Sequence, residues 1–597
     1  MKQDTLTKNK RDMRRCYIIM MLNLLMVVGL SACNGIDPVL DPITYGENYI
    51  AVQLSTDKAQ YKPGDEVKFS LTQIPEGADL MVRYRHLGET LDEHALTATQ
   101  WTWQAPAEDY QGYLVDVYEG TRVYASIAVD VSSTPEKFVR NGFLSAYGNL
   151  SEKEIMTVVN SLNRFHINYV QFQDWHWKHH RPLAGTTALP MDVWTDIISR
   201  NCYRSTVNAY IDAAHERNMQ CLFYNLIYGA LDDAQEDGVE REWYVFSDRL
   251  HNTPLFHPLS SPFKSAIYLV DPSNADWQQY LGAKNDDVYQ VFEFDGWQID
   301  QLGWQGDVYD YHGNALSLSD GFAPMIGYSK ELQPEKRLVM NAVGQYGQEA
   351  IAKTSVDFLY TEIWDKPVEN GYSVLSDVIT YNDKVGGGKA TVLAAYMNYD
   401  HGVKGRGYFN TPGILMTTAA AHAWGGTILQ MGEHMLCNEY FPNSNLSMHG
   451  DLYRAMITYY DFITAYENLL RDGGEWFGVD VESLDKQCVF NQWPAVKGQV
   501  ATVGKAQEGR DIIHLLSYRN AVHLDWCDTD ATQGEPDLLT DLSVRMPAKA
   551  QPARVYVATP DANFSVAQEL DFDYADGMLN LTIPSLKYWT MLWIEYE

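Results

Sequence analysis

The sequence predicts a multidomain chain: a central (β/α)8 TIM barrel flanked by an N-terminal immunoglobulin-like β-sandwich and a C-terminal antiparallel β-sandwich. Three observations predict it. At 597 residues the chain is too long for one hydrophobic core. Its middle alternates short apolar runs with segments of helical period, the mark of parallel βα units. Both flanks instead carry short alternating strands broken by turn residues.

The elements follow in order. Lys8, Lys10, Arg11, Arg14 and Arg15 precede an apolar run from Tyr17 to Leu30, which ends in Leu30, Ser31, Ala32 and Cys33. A basic segment, a short apolar segment and small residues before a cleavage point read as an export signal. The run is too short to span a bilayer. Leu-Ser-Ala-Cys resembles a bacterial lipobox. Residues 1–32 are therefore expected to be a lipoprotein signal peptide. Cys33 becomes the lipidated first residue, which anchors the protein to the membrane at the bacterial cell surface or outer membrane. Residues 33–47, with Gly35, Pro38, Pro42 and Gly46, read as a tether.

Residues 48–133 form the first β region. Tyr61 to Asp65 (YKPGD) marks a turn, and Val67/Phe69/Leu71, Leu80/Val82/Tyr84 and Tyr113/Val115/Val117 alternate apolar with other residues. This spacing predicts the immunoglobulin-like sandwich.

Residues 134–475 hold eight candidate strands: 142–145, 169–172, 221–224, 297–300, 338–341, 358–361, 392–395 and 427–430. Eight strands with helical segments between them fit a (β/α)8 barrel with long loops. The clearest helix runs from Glu152 to Phe165, with Ile155, Val158, Val159 and Leu162 at helical spacing and Ser151 placed to cap it. Residues 476–597 return to short strands, among them 512–516, 553–557, 579–583 and 591–594, and predict the C-terminal sandwich.

Composition bounds the chemistry. The formal net charge is −33, or −37 once residues 1–32 are removed, which excludes nucleic acid as a partner by phosphate repulsion. The 39 Tyr and 16 Trp offer flat apolar faces with polar edges, a type that suits sugar rings, although core packing claims most of them. Besides Cys33, the mature chain has Cys202, Cys221, Cys437, Cys488 and Cys527, scattered and without a CxxC pair, so a disulfide framework or zinc site is not expected. His176, His179 and His180 cluster, but the adjacent pair would diverge on a helix or strand, so hydrogen bonding is expected there and no metal. No HExxH, GxSxG or phosphate loop with Lys is present.

Barrel catalysts sit at the C-terminal ends of strands. There the sequence offers Asp174 and its neighbours after the second strand, Asn225, Asp300, Asn341, Glu362 with Trp364, Asn398 and Glu433. Carboxylates and amides bind hydroxyls, and indoles stack on pyranose rings. Cleaving a glycosidic bond takes two carboxyl groups, one ionised and one carrying a proton. Asp300 and Glu362 are the best-placed pair, each directly following an apolar run; Asp174 and Glu433 compete on the same logic.

At these residues the sequence resembles glycoside hydrolase family 66, which contains endo-dextranases and cycloisomaltooligosaccharide glucanotransferases. The resembling stretches are Tyr169–His180 (YVQFQDWHWKHH), Phe294–Gly303 (FDGWQIDQLG), Tyr360–Trp364 (YTEIW), Gly432–Glu433, Glu439–Pro442 (EYFP), Tyr459–Phe462 (YYDF) and Ala465–Arg471 (AYENLLR). The resemblance implies Asp300 as nucleophile and Glu362 as acid/base of a retaining mechanism on dextran, an α-1,6-glucan. It also implies Asp174, His180, Gln298, Asn341, Trp364, Asn398 and Glu433 as substrate-binding residues. No cofactor is implied, and a monomer is expected. Cyclising members carry a carbohydrate-binding module inserted in the barrel. The interval from Asn398 to Thr427 is short here, which favours hydrolysis to isomaltooligosaccharides. A cyclising transglucosidase and a non-catalytic glycan-binding surface lipoprotein are the alternatives.

Overall fold

The computed structural model describes residues 52–364 and 371–597. The expected signal peptide, the tether and the lipidation site Cys33 lie outside the described residues. Among those described, no helix is long and apolar enough to cross a membrane.

The architecture centres on a parallel sheet. Its strands are β1 (Asn141–Leu144), β2 (Tyr169–Phe172), β3 (Gln220–Leu226), β4 (Gly296–Asp300), β5 (Arg337–Asn341), β6 (Leu359–Glu362), β7 (Thr391–Ala394), β8 (Thr427–Ile428) and β9 (Met431–Gly432). Neighbours pair in chain order from β1 to β8, all parallel. β8 and β9 are successive pieces of one stretch. The first pairs with β7 through Thr427 and Val392, and the second with β1 through Met431 and Gly142. The hydrogen-bonded path thus returns to its first strand, giving a TIM-barrel-like core. All eight apolar runs read from the sequence lie in this sheet, the last split in two.

Strand alternation sorts the side chains. Phe143, Tyr169, Leu222, Val339, Tyr360, Val392 and Leu429 pack together as one buried cluster, while Val170, Phe223, Trp297, Ile299, Met340, Leu359 and Leu393 belong to the larger core beneath the helices. One step of two residues up from Leu222, Val339 and Tyr360 come Tyr224, Asn341 and Glu362. The apolar filling therefore ends in a polar layer at the C-terminal rim.

The helix over Glu152–Arg164 forms as its pattern predicts. The Ser151 hydroxyl accepts the Glu154 N–H at 3.3 Å and the Glu154 carboxylate accepts the Ser151 N–H at 2.7 Å, a reciprocal cap.

On the N-terminal side, two antiparallel sheets, of three and four strands, enclose a core with Val67, Phe69, Tyr84, Val115 and Ile127. On the C-terminal side, two further largely antiparallel sheets enclose Ile513, Leu515, Val544, Ile583 and Leu592. Buried ion pairs join the layers. Arg140, just ahead of β1, reaches Asp130 of the N-terminal region at 2.6 Å and Glu467 at 3.0 Å. Asp461 binds Arg164 and His166 and accepts the Ala128 N–H. The five cysteines among the described residues are free.

Candidate active site

The polar layer at the strand ends brings Asp300 and Glu362 together. Their link is the Asn341 side chain. Its Nδ2 donates to Asp300 Oδ1 at 2.9 Å and to Glu362 Oε2 at 3.3 Å. Two bonds from one nitrogen hold those oxygens no more than 6.2 Å apart, and about 5.4 Å apart if each uses its own hydrogen along a near-linear bond. Asn341 Oδ1 accepts the Glu362 backbone N–H at 3.2 Å, so the amide cannot flip without losing a partner.

The two carboxyl groups differ in their other partners. The Tyr224 hydroxyl donates to Asp300 Oδ2 at 2.8 Å, and the Tyr396 hydroxyl donates to Glu362 Oε1 at 2.7 Å. Burial raises the pKa of Asp300 above the usual aspartate value, opposed by donors from Tyr224, Asn341 and the Gln301 backbone. Burial, then the charge of Asp300, pushes Glu362 to about 8, against weaker lowering by Tyr396 and Asn341. At neutral pH Glu362 therefore keeps its proton beside an Asp300 that is ionised first. One carboxylate can attack while the other gives a proton.

Two other acids named from the sequence lie at strand ends of the same sheet, and of them Asp174 feels the Asp300 charge. Asp174, 7 % exposed and in the left-handed region at φ 50°, is pushed to about 7 by burial. Arg200 opposes that shift, and the charges of Asp196 and Asp300 add to it. Arg200 itself is tied by Nε to Asp196 and by Nη1 to the Ser145 carbonyl. Glu433 accepts both the N–H and the hydroxyl of Ser145, at 2.8 and 2.5 Å. Trp364 packs near Tyr396 and Tyr399, with ring centroids 5.4 and 6.0 Å apart.

The remaining expected binding residues are placed differently. Gln298, one step below Asp300, is buried, and its Oε1 has no hydrogen-bond partner among the protein atoms. His180 is fully buried. Its Nδ1 accepts the Leu231 N–H and its Nε2 donates to Asp237. Both ring nitrogens have partners within the protein. Asn398 is fully buried too, with Nδ2 donating to Asp528 and Oδ1 accepting the Asn410 N–H. Sequence reasoning missed Tyr224, Tyr396 and Ser145 as partners of the acids. The signal that finds them is alternation: Tyr224 and Tyr396 sit two residues above inward-facing Leu222 and Ala394.

His176 and His179 hydrogen-bond each other at 2.9 Å, and burial holds both well below the usual histidine range. Among the described residues, two clusters bring ligand-type atoms within 4.8 Å of each other: His180/Asp233/Asp237 and His215/Cys221/Asp295. In the first, the Lys178 ammonium already ion-pairs with Asp233 and Asp237, and Arg181 with Asp237.

Comparison with known proteins places the chain in a family. The sequence model of glycosyl hydrolase family 66 matches residues 56–593, nearly the whole described chain. The chain belongs to that family. A cycloisomaltooligosaccharide glucanotransferase of Niallia circulans is 26% identical over 747 aligned positions, which cover 98% of this chain and 75% of the relative. A dextranase of Streptococcus salivarius is 28% identical over 457 positions, covering 66% of this chain and 54% of that one. The crystal structure of a Paenibacillus sp. cycloisomaltooligosaccharide glucanotransferase complexed with cycloisomaltoheptaose superposes with a TM-score of 0.83 at 25% identity, covering 91% of this chain and all of the other. As a member of family 66 the protein is a glycoside hydrolase family enzyme with a TIM-barrel-like core and additional β regions.

Proposed function

We propose that the protein is a retaining endo-dextranase that cleaves α-1,6-glucosidic bonds to linear isomaltooligosaccharides. The observation that carries the reading is the amide bridge. Carboxyl groups about 5 to 5.5 Å apart suit a retaining enzyme, and a wider gap of roughly 6.5 to 9.5 Å is needed to seat the water of an inverting one. The bound of 6.2 Å between Asp300 Oδ1 and Glu362 Oε2 falls below that wider range.

In this reading ionised Asp300 attacks the anomeric carbon and forms a glucosyl ester. Protonated Glu362 gives its proton to the departing glycosidic oxygen. The resulting Glu362 carboxylate then takes a proton from water, which attacks the ester and releases Asp300. Tyr224 and Asn341 favour the ionised state of the attacking group. Burial and the Asp300 charge favour the protonated state of the other. Asn341 touches both members of the pair, Asp174 feels the Asp300 charge and Trp364 packs on the Tyr396 ring; these three, and Glu433 at the end of β9, are read as sugar contacts.

The named relatives include both activities, and the short interval from Asn398 to Thr427 is read as favouring hydrolysis over cyclisation. The 747-position alignment with the N. circulans enzyme spans 98% of a 597-residue chain, so about 160 of its positions have no counterpart here. The S. salivarius dextranase supports dextran as substrate. The N-terminal pair of sheets is read as the immunoglobulin-like domain and the C-terminal pair as the antiparallel sandwich. Cys33 is read as a lipid anchor that holds the enzyme at the cell surface.

Incubation of purified enzyme with dextran, starch and β-glucans tests the proposal. Reducing ends from dextran alone, with products that retain the water of hydrolysis, are expected; products lacking one water would make it a cyclising enzyme. Asp300→Asn and Glu362→Gln are each expected to abolish turnover. Retained turnover in Asp300→Asn would overturn the assignment, and binding of dextran without any turnover by the unaltered protein would leave a glycan-capturing role.

A further inference from the structure

The fold delivers Tyr396 to Glu362 by an indirect route. β7 ends at Ala394, and the turn through Ala395, Tyr396 and Met397 enters a one-and-a-half-turn helix, Tyr399–Lys404. Asn398 begins it in the left-handed region, at φ 54°. Residues in that position ordinarily cap the first free N–H groups of the helix with their side chain. Asn398 makes no such cap. Its side chain is used outward: Nδ2 donates to the Asp528 carbonyl at 2.7 Å and to Asp528 Oδ2 at 3.2 Å, and its N–H donates to the Cys527 carbonyl at 2.7 Å. The helix is capped from elsewhere. The Asp400 N–H donates to Thr529 Oγ1 at 3.2 Å and the His401 N–H to the Thr529 carbonyl at 2.9 Å.

All these acceptors come from residues 523–533, a loop between two strands of the C-terminal β region, Arg510–Ser517 and Leu539–Pro547. The loop is itself stiff. Asp528 is fully buried, and its Oδ1 accepts from His523 Nε2 and from the N–H groups of Thr532 and Gln533. Asn410 Nδ2 donates to the Ala531 and Gln533 carbonyls, and Thr417 donates to the Trp526 carbonyl. So the turn after β7 is clamped by a domain remote in sequence. On the other side of the clamp, Tyr396 bonds Glu362 and Tyr399 bonds Glu439.

We propose that the 523–533 loop is a positioning element of the acid/base centre. Through Asp528 and Thr529 it fixes Asn398, and Asn398 fixes the turn that aims the Tyr396 hydroxyl at Glu362. The C-terminal β region is thereby part of the catalytic apparatus without touching substrate. This rests on the reading of Glu362 as acid/base.

The test compares Asn398→Gly, which keeps the backbone conformation and removes only the side chain, with Tyr396→Phe and with the double variant. Thr529→Val serves as a milder second cut, since it removes one hydroxyl. Each is measured on dextran for kcat, KM and the pH dependence of kcat/KM, with thermal unfolding alongside. Glu362 is faced by Asp300, Glu439, Tyr224, Tyr360, Tyr396 and Tyr399. Of these, only Tyr396 and Tyr399 ride on the clamped segment. Tyr396→Phe removes a donor that favours the Glu362 carboxylate, so the alkaline limb of kcat/KM moves up. Asn398→Gly is expected to lower kcat about tenfold with KM within about twofold, and to move the same limb the same way by less. In the double variant the limb stays where Tyr396→Phe alone puts it. If Tyr396→Phe leaves the limb in place, Glu362 is not the acid and both readings fall. If Tyr396→Phe moves it while Asn398→Gly and Thr529→Val only lower the unfolding temperature, the loop is a structural brace and the proposal is overturned while the acid/base reading stands.

Discussion

Tyr224→Phe isolates what tunes Asp300. The change removes one oxygen and leaves the ring. That oxygen donates a hydrogen bond of 2.8 Å to Asp300 Oδ2, and burial holds the phenol well above its ordinary pKa, so it remains a donor across the working range. A hydrogen bond to a charged acceptor contributes about 1.5 to 3 kcal/mol. One pKa unit corresponds to about 1.4 kcal/mol, so its loss raises the Asp300 pKa by about one to two units. Asn341 still donates at 2.9 Å, which keeps the carboxylate from being stranded. Because Asp300 must be ionised to attack, the acid limb of kcat/KM moves up by that amount. The alkaline limb depends on Glu362 losing its proton with Asp300 already charged, so it stays near its value of about 8. The active window narrows from one side only. Initial rates on dextran from about pH 4 to pH 9 measure it. A loss of activity with the acid limb unmoved would refute the reasoning and make Tyr224 a substrate contact.

Three further outcomes are expected. Glu362→Gln stabilises the fold as pH rises: the folded pKa of about 8 exceeds the usual 4.5, so the native protein binds more protons than the unfolded chain in that interval and loses stability through it. The variant's unfolding temperature should exceed that of the unaltered protein by a margin that grows between pH 5 and pH 8; a constant margin would contradict the shift. Arg140→Met leaves Asp130 and Glu467 buried without their guanidinium, and denaturant titration should show a loss of about 3 to 5 kcal/mol; a loss under about 1 kcal/mol would mean water replaces it. Gly296→Ala puts a Cβ at 2.0 Å from the Arg337 carbonyl oxygen, a backbone atom that cannot step aside, so β4 and β5 must part and soluble expression should collapse; a well-folded variant would refute that contact.

The sheet was legible because a strand buried on both faces leaves a continuous apolar run in the sequence, and the runs ending at Asp300 and Glu362 are of that kind. A polar side chain at the end of such a run has one place to go, the rim, so the acidic pair could be shortlisted. His180 and Asn398 show the limit of that logic. Both follow strands, and both are spent on internal hydrogen bonds, because their surroundings are built by loops whose path no local pattern encodes.

The sequence by itself determined the strand runs, the Ser151 cap, the acidic character and the two carboxyl groups at strand ends. Each follows from periodicity or side-chain chemistry within a few residues. Only the tertiary structure decided that one Asn341 amide touches both carboxyl groups, that Tyr224 holds Asp300 while Tyr396 holds Glu362, and that Asp528 clamps the turn carrying Tyr396. Those partners lie between 21 and 130 residues apart in the chain. Their meeting depends on closure of the parallel sheet and on packing of the C-terminal region, which are set by burial summed over the whole molecule.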